Sequence, residues 1–444
     1  MIGNVAVNST TDVPNWYGAL AIVLATIFVA PMAHALDPYV SVQVADVPNE
    51  SSTSRGLGRS RSERGSDASL WTEADSASGY NQATSPVSGL RASQYHVRGV
   101  MDLYLLNYAA DETELRKGET LTMAGLRYKP TVDFKMYDWL SWRATAKLWL
   151  AQGYAESRLG NFVPPQSFSL FEGYVEARPV DYFSFRAGAI NQSNEDLHNE
   201  ILIGDSVYPA VVETFHADGD LLAAELTAQQ AVPTSTTLST DAVNAEPMPT
   251  FFVETLTLKT APVKSVEGHA YVTKFQFNDL GTVVAAASEP RGNTVNESGP
   301  LATKFRYQFA GMIYGLGGRV DLARKVSLRS NFEFIDNMAA PETYNRGESG
   351  YLALDVRLPD EIVLKPRVDL FFLESDAAPA YWLESFYGSQ TNRSGYSAEM
   401  GADFTRQKFS MALRYMSFRP INANQWQSPE QLVFLQFRTR HDLL

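Results

Sequence analysis

Apolar and polar residues alternate along most of this chain. From Gln94 onward, segments of about ten residues recur with period two, separated by turns, and none holds a helical period for long. The stretch 171–189 shows the pattern most clearly. Glu172, Tyr174, Glu176 and Arg178 share one parity, and Phe171, Gly173, Val175 and Ala177 share the other. Arg178-Pro179-Val180-Asp181 breaks the alternation. Phe183, Phe185, Ala187 and Ala189 then alternate with Ser184, Arg186 and Gly188. This predicts a hairpin with one apolar and one charged face. Strands are expected at 94–108, 119–136, 140–152, 167–178, 182–192, 250–260, 266–278, 303–321, 326–337, 350–358, 361–374, 395–405, 408–418 and 431–440. Two more, 207–216 and 221–229, bring the preferred total to sixteen rather than fourteen.

The connections alternate too. Short ones fall at 137–139, 179–181, 261–264, 322–325, 359–360 and 406–407. Long ones fall at 109–118, 153–166, 279–302, 338–349, 375–394 and 419–430. In an up-and-down meander this puts all tight turns at one end and all long loops at the other. A soluble sandwich has no reason to keep that parity, whereas an outer-membrane barrel does. The same parity requires none or two strands between Gln192 and Thr250, so the count is even.

One face of the expected strands carries no charge: Trp142, Ala144, Ala146, Leu148, Leu150; Phe305, Tyr307, Phe309; Leu352, Leu354, Val356; Ile362, Leu364, Val368, Leu370, Phe372; Tyr396, Ala398, Met400, Ala402, Phe404. The other carries charges of both signs in mid-strand, which suits a water-filled lumen better than a soluble sheet face. Trp139, Trp142, Tyr182, Tyr307 and Tyr396 stand near strand ends, as interfacial girdles do. The expected pore-lining residues are Arg98, Arg143, Lys147, Glu172, Glu176, Arg178, Arg186, Lys304, Arg306, Arg329, Arg357, Lys365, Arg367, Arg414 and Arg438.

The hairpin 172–188, with its outward Phe/Val/Ala face, its Arg-Pro-x-Asp turn and its Phe-Ser-Phe-Arg-x-Gly return, resembles the hairpins of Gram-negative porins. The likeness is one of fold and extends over about four-fifths of the chain. It implies an all-β, transmembrane, antiparallel up-and-down β-barrel over 93–444, in the cell outer membrane. It also implies contact with outer-membrane lipid and lipopolysaccharide, handling by barrel-assembly machinery, passage of small solutes, and assembly as a homotrimer. Porins usually finish on an aromatic residue. Here the last expected strand is followed by His441-Asp442-Leu443-Leu444, so Phe437 is the candidate for that role.

Composition narrows the classes. With 50 acidic and 37 basic residues, nucleic acid is not an expected partner. The absence of Cys excludes disulfides and thiolate metal sites, and six His leave little for a His-rich one, so neither metal nor cofactor is expected. Residues 1–35 read as a signal peptide: an apolar run from Ala19 to Ala30 precedes Ala33-His34-Ala35, although no Lys or Arg precedes the run. Residues 36–92, rich in Ser, Arg and Gly, read as a solvated, disordered periplasmic segment. Within 191–250, polar and acidic at its start, an external loop is expected in preference to an inward constriction.

The leading function is passive diffusion of small hydrophilic solutes. The basic excess on the expected wall suggests mild anion preference, and the competing reading is that mixed-sign ladders stabilise neighbouring strands. The second class is a surface or adhesive barrel without a conducting pore. The third, a barrel enzyme, lacks support: His96, His198, His216 and His269 are scattered and no Gly-x-Ser-x-Gly element occurs.

Overall fold

The computed structural model describes residues 95–111, 119–156, 166–192, 201–204, 206–219, 221–234, 247–263, 265–296, 303–383 and 390–442. The expected signal peptide at 1–35 and polar segment at 36–92 lie outside the described residues, as do positions 93 and 94.

Sixteen strands form one closed antiparallel barrel in which each strand pairs with its sequence neighbours. They are β1 (Tyr95–Ala110), β2 (Glu119–Tyr137), β3 (Leu140–Glu156), β4 (Gln166–Val180), β5 (Phe183–Asn191), β6 (Val207–Asp218), β7 (Leu222–Ala231) and β8 (Thr250–Val263). The circuit continues with β9 (Val266–Asn278), β10 (Phe309–Ala323), β11 (Val326–Asn337), β12 (Arg346–Arg357), β13 (Ile362–Leu373), β14 (Arg393–Phe404), β15 (Phe409–Pro420) and β16 (Glu430–Asp442). β16 returns to β1, with Asp102 opposite Arg438 and Leu105 opposite Leu435. The pair β6–β7 decides for sixteen over fourteen. Tight turns gather at one end and long loops at the other, as the spacing predicts.

Burial inverts the order of a soluble protein. On β1, Asp102 and Tyr104 are buried while Met101, Leu103 and Leu105 are exposed. On β12 to β15 the exposed residues include Leu352, Val368, Tyr396, Met400 and Leu413. Across β5 and β6, Phe183 and Phe215 meet on the outer face with ring centroids 4.8 Å apart. At the tight-turn end Tyr137 stacks on Trp139, and Phe409 stacks on Phe437 of the last strand. This is the apolar band with aromatic edges that a lipid-embedded barrel presents.

Two inward tyrosines lie flat along the wall because the residue opposite each is glycine. Tyr104 pairs with Gly125, and Tyr271 with Gly315. A Cβ on Gly125 would fall 2.1 Å from the Tyr104 ring, and one on Gly315 1.8 Å from that of Tyr271. The rings therefore take the space of the missing side chains, a known glycine rescue in sheets.

Alternation misplaces three features. The strand expected from Thr303 begins only at Phe309. Before it, Asn296 N–H donates to Lys304 O and Arg306 N–H to Thr294 O, so this stretch is held by the preceding loop instead of a barrel strand. Lys304 and Arg306 are thus loop residues and not part of the wall, and Phe305 and Tyr307 are not on the lipid face. Phe309 is on β10 but points inward, 1% exposed, opposite Phe277. Finally, the β3–β4 register shifts between Thr145 and Ala146, with Thr145 opposite Glu172 and Ala146 opposite Leu170. This bulge turns both Phe171 and Glu172 inward and leaves Phe168 and Leu170 outside.

Depth in the band sets the cost of a charge. Val368 lies mid-way along β13 and is 51% exposed, whereas Phe185 is only the third residue of β5 after its turn. We expect Val368→Arg to lower the stability of the barrel folded into vesicles by about 2–4 kcal/mol and Phe185→Arg by about 0–1 kcal/mol. Urea titration of the two variants would check the difference, and equal costs would contradict the assignment of faces.

Candidate functional site

The inner wall is a set of cross-strand polar ladders. On β16, β1 and β2, Asp102 accepts from Arg438 Nε at 2.7 Å, Arg127 Nε at 3.3 Å and Gln436 Nε2 at 3.2 Å. Asp133 on β2 takes Arg143 Nε at 2.5 Å and lies 3.5 Å from Arg98. Arg143 also donates to the Tyr174 hydroxyl, and Thr145 donates to Glu172 at 2.9 Å. Glu176 accepts from Arg178 near the turn, and Arg186, opposite Glu176 in register, lies 6.0 Å from the Tyr174 ring centroid. Farther round, Arg329 pairs with Asp355, Lys365 with Asp403, Arg367 with Asp369, and Arg414 with Glu399. Arg357 sits at the tight-turn end of β12, exposed and on the same parity as Asp355.

Apart from Lys304 and Arg306, the expected pore-lining residues therefore do share the inner parity of the wall. Arg98, Arg143, Arg329, Lys365, Arg414 and Arg438 meet carboxylates on neighbouring strands, the ladder arrangement that stabilises paired strands, while Arg178–Glu176 and Arg367–Asp369 pair within one strand. Arg127, Lys129 and Asp133 belong to this wall and escaped the sequence reading. The signal was present, since Arg127, Lys129, Thr131, Asp133 and Lys135 alternate with Leu126, Tyr128, Pro130, Val132 and Phe134.

The long-loop end is different in kind. Here an apolar cluster reaches across the mouth, formed by inward strand residues such as Phe251, Phe275, Phe309 and Ile335 together with loop residues Ile201, Leu202, Trp382 and Leu383. Ile201, from the loop after β5, reaches the inner side of β11–β13: its Cδ1 is 3.3 Å from where a Cβ on Gly347 would stand, beside Leu373 and Ile335. Trp382, from the loop after β13, returns the contact. It stacks on Phe277 at 5.8 Å, meets Tyr208 edge-on at 6.0 Å, and donates Nε1–H to Thr234 O at 3.0 Å. Within the 191–250 segment, residues 201–204 of the loop between β5 and β6 are thus packed inward, unlike an ordinary external loop. Its apolar run Ile201-Leu202-Ile203, inside an otherwise polar stretch, was the overlooked sign.

Polar bonds tie these loops to one another. Helix α1 (Thr282–Ser288) leads to Asn293, whose Nδ2 donates to Ser375 O and Ala378 O while its Oδ1 accepts from Ala380 N–H. Asp376 accepts from both Thr294 N–H and Thr294 Oγ1. Asn337 Nδ2 donates to Asp376 O and Gln308 O. Under the next loop, Arg393 and Glu430 form a two-point ion pair at 2.6 and 2.7 Å, with side chains 0% and 1% exposed.

A closed sixteen-strand meander with an apolar exterior, a charged inner wall and loops folded over one mouth is the architecture of a porin-like outer-membrane barrel. No protein-family model matches the chain, and neither does any curated protein. Among solved structures, the high-pH form of OprB from Pseudomonas putida is similar with TM-score 0.49 and 9% identity, over 78% of this chain and 94% of that one. Its low-pH form gives TM-score 0.45 and 8% identity, over 78% and 93%. A loop-L8 deletion mutant of OmpT, an outer membrane protein of Vibrio cholerae, gives TM-score 0.43 and 9% identity, over 79% and 100%.

Two measurements test the mouth. Removing one partner of the Arg393–Glu430 pair strands a buried charge, so Arg393→Met is expected to cost about 3–5 kcal/mol and the double change with Glu430→Met far less. Thermal unfolding of the three proteins would check it. For Asp376, burial pushes the carboxyl up from 3.8 to about 6, opposed by its bonds to Thr294 and by Arg306. A folded-state value above the unfolded one means stabilisation that is complete below about pH 3.8 and lost as pH rises through about 6. The packed loops should therefore exchange amide hydrogens faster, relative to intrinsic rates, at pH 7 than at pH 5. Asp376→Asn should remove that dependence.

Proposed function

We propose that this chain is an outer-membrane channel for passive diffusion of small hydrophilic solutes, with a mild preference for anions. The observation that carries the reading is the inversion of the fold: a charged, hydrogen-bonded inner wall behind an exposed apolar band. Such a wall is compatible with water and ions along the axis, and charged rings in a narrow pore select by sign. Support for the anion preference comes from Lys129, Lys147 and Arg186, whose cationic groups lie near aromatic rings of the inner wall. On this reading the exterior meets lipid and lipopolysaccharide. The barrel-assembly machinery acts on β16, where Phe437 faces outward against Phe409. Three copies assemble side by side.

A surface barrel without a conducting pore is the second reading, and the apolar cluster across the mouth favours it. A barrel enzyme has less support, since the inward histidines take part in wall ladders: His269 faces Asn331 at 3.2 Å and His216 faces Glu225 at 3.4 Å.

Planar bilayers separate the readings. A channel should give stepwise conductance, and in a salt gradient a reversal potential of anion-selective sign. Replacing Ile201, Leu202 and Trp382 together by Ser should raise the single-channel conductance, because these residues narrow the mouth. A silent wild type that conducts only after that change would favour the second reading, and cation selectivity would remove the anion preference.

A further inference from the structure

The outer face of the barrel is apolar along most of its circuit, but one sector departs from the rule. Mid-way along β6, Glu213 points outward between Val211 and Phe215 and is exposed. Glu254 lies four residues inside the loop end of β8, and Lys274 four residues inside that of β9. Both point outward, since Val253 and Phe275 next to them face in. Elsewhere on the outer face, among the described residues, charged side chains stand within three positions of a strand end, as Asp336, Glu348 and Arg419 do.

The three groups are also aligned. Glu213 pairs with Ala228, Ala228 with Glu254 and Glu254 with Lys274, so one register line crosses β6 to β9. The next outward line toward the loops carries Gln230 and Gln276 on either side of Phe252. Lys274 and Glu254 reach each other only at 4.0 Å, and their side chains remain 65% and 64% exposed. Glu213 has no hydrogen-bond or ion-pair partner among the described residues.

Hydrocarbon tails offer neither donor nor acceptor, and charge on the lipid face destabilises a barrel according to depth. A neighbouring barrel with the same wall offers both. Copies related by an axis normal to the membrane keep every residue at its own depth, and oligomers of one chain close about such axes. Glu254 and Lys274 are paired in register on adjacent strands, so the carboxylate of each copy can reach the ammonium of the other. The amides of Gln230 and Gln276 both donate and accept, which makes them self-complementary too. Ala224 and Ala228, outward on β7, leave room for close approach.

We propose that the outer wall of β6 to β9 is a contact surface for a second copy of this chain. Glu254 and Lys274 pair reciprocally across it, and Glu213 is sheltered from lipid. The inference rests on the side-by-side assembly proposed for the channel, and not on conduction.

The test uses the full chain folded into lipid vesicles. The chain contains no Cys, so a single introduced thiol reports its own surroundings. Ala228→Cys should cross-link into dimers or trimers with a short bismaleimide. Leu413→Cys, outward on β15 at the far side of the sixteen-strand circuit, should stay monomeric. In the Ala228→Cys background, Glu254→Lys and Lys274→Glu should each lose the cross-link, because like charges then face each other. Co-folding the two reversed chains should restore it, a rescue that a pair acting only within one barrel would not give. Heat-modifiable mobility checks that each variant is folded, and the comparison of Ala228→Cys with Leu413→Cys decides even where a reversal is not. Equal cross-linking at both positions, or cross-linking through Leu413→Cys alone, would overturn the proposal and leave the assembly of copies standing. A chain monomeric throughout would mean that lipid meets this wall, and would remove the surface and the assembly together. Absence of conductance in the same vesicles would remove the channel reading alone.

Discussion

The first and last strands meet from Arg98–Asp442 to Ala110–Glu430, and that hydrogen-bonded seam is the constraint on which the rest depends. Inside hydrocarbon no water is available to satisfy a backbone amide, so a sheet is tolerated only when it has no edge. Closure then decides what side chains can do. Period-two geometry sends alternate residues to lipid and to the interior, and lipid rejects charge. The charged residues of the strands are thereby collected on a single inner surface. The ladders around Asp102, Asp133 and Asp369 follow from the seam as much as from their own attractions.

That inner surface has two regimes. In the middle and at the tight-turn end, charges and hydroxyls interlock across strands, as in the Thr131–Thr145–Glu172 chain. At the long-loop end the same parity turns apolar, with Phe251, Phe277 and Phe309 facing in, and the loops supply apolar residues to match. The mouth thus packs as a small conventional core, while the wall beneath it behaves as a solvated surface. Burial acts in opposite senses in the two regions. It assists Ile201 and Trp382, and it raises the cost of ionising Asp376.

Much of the barrel was legible in the sequence because one repeating rule generates it. Strict alternation located the strands. The alternation of turn lengths oriented them, and the parity argument allowed the β6–β7 pair or none, leaving the pairing itself to decide. What was not legible breaks that rule. The bulge at Phe171 inserts one residue with no sequence mark of its own, and Thr303–Gln308 alternates like a strand while bonding to the preceding loop. Phe309 alternates correctly but faces inward, because aromatic residues suit lipid and an apolar mouth equally well. Loop packing was hidden for another reason: Ile201 and Trp382 find partners far away in sequence, and no local pattern encodes those.

That last point bears on how the molecule is made. Trp382 bonds to Thr234, 148 positions away, and Ile201 packs on a wall built from β11 to β13. Neither surface exists until the strands between have been laid down side by side. Contacts of such long sequence separation form late and slowly. The β1–β16 seam shares this property, since its Arg438–Asp102 bond spans 336 positions, so closure and covered mouth alike are built from contacts that only the assembled strands bring together.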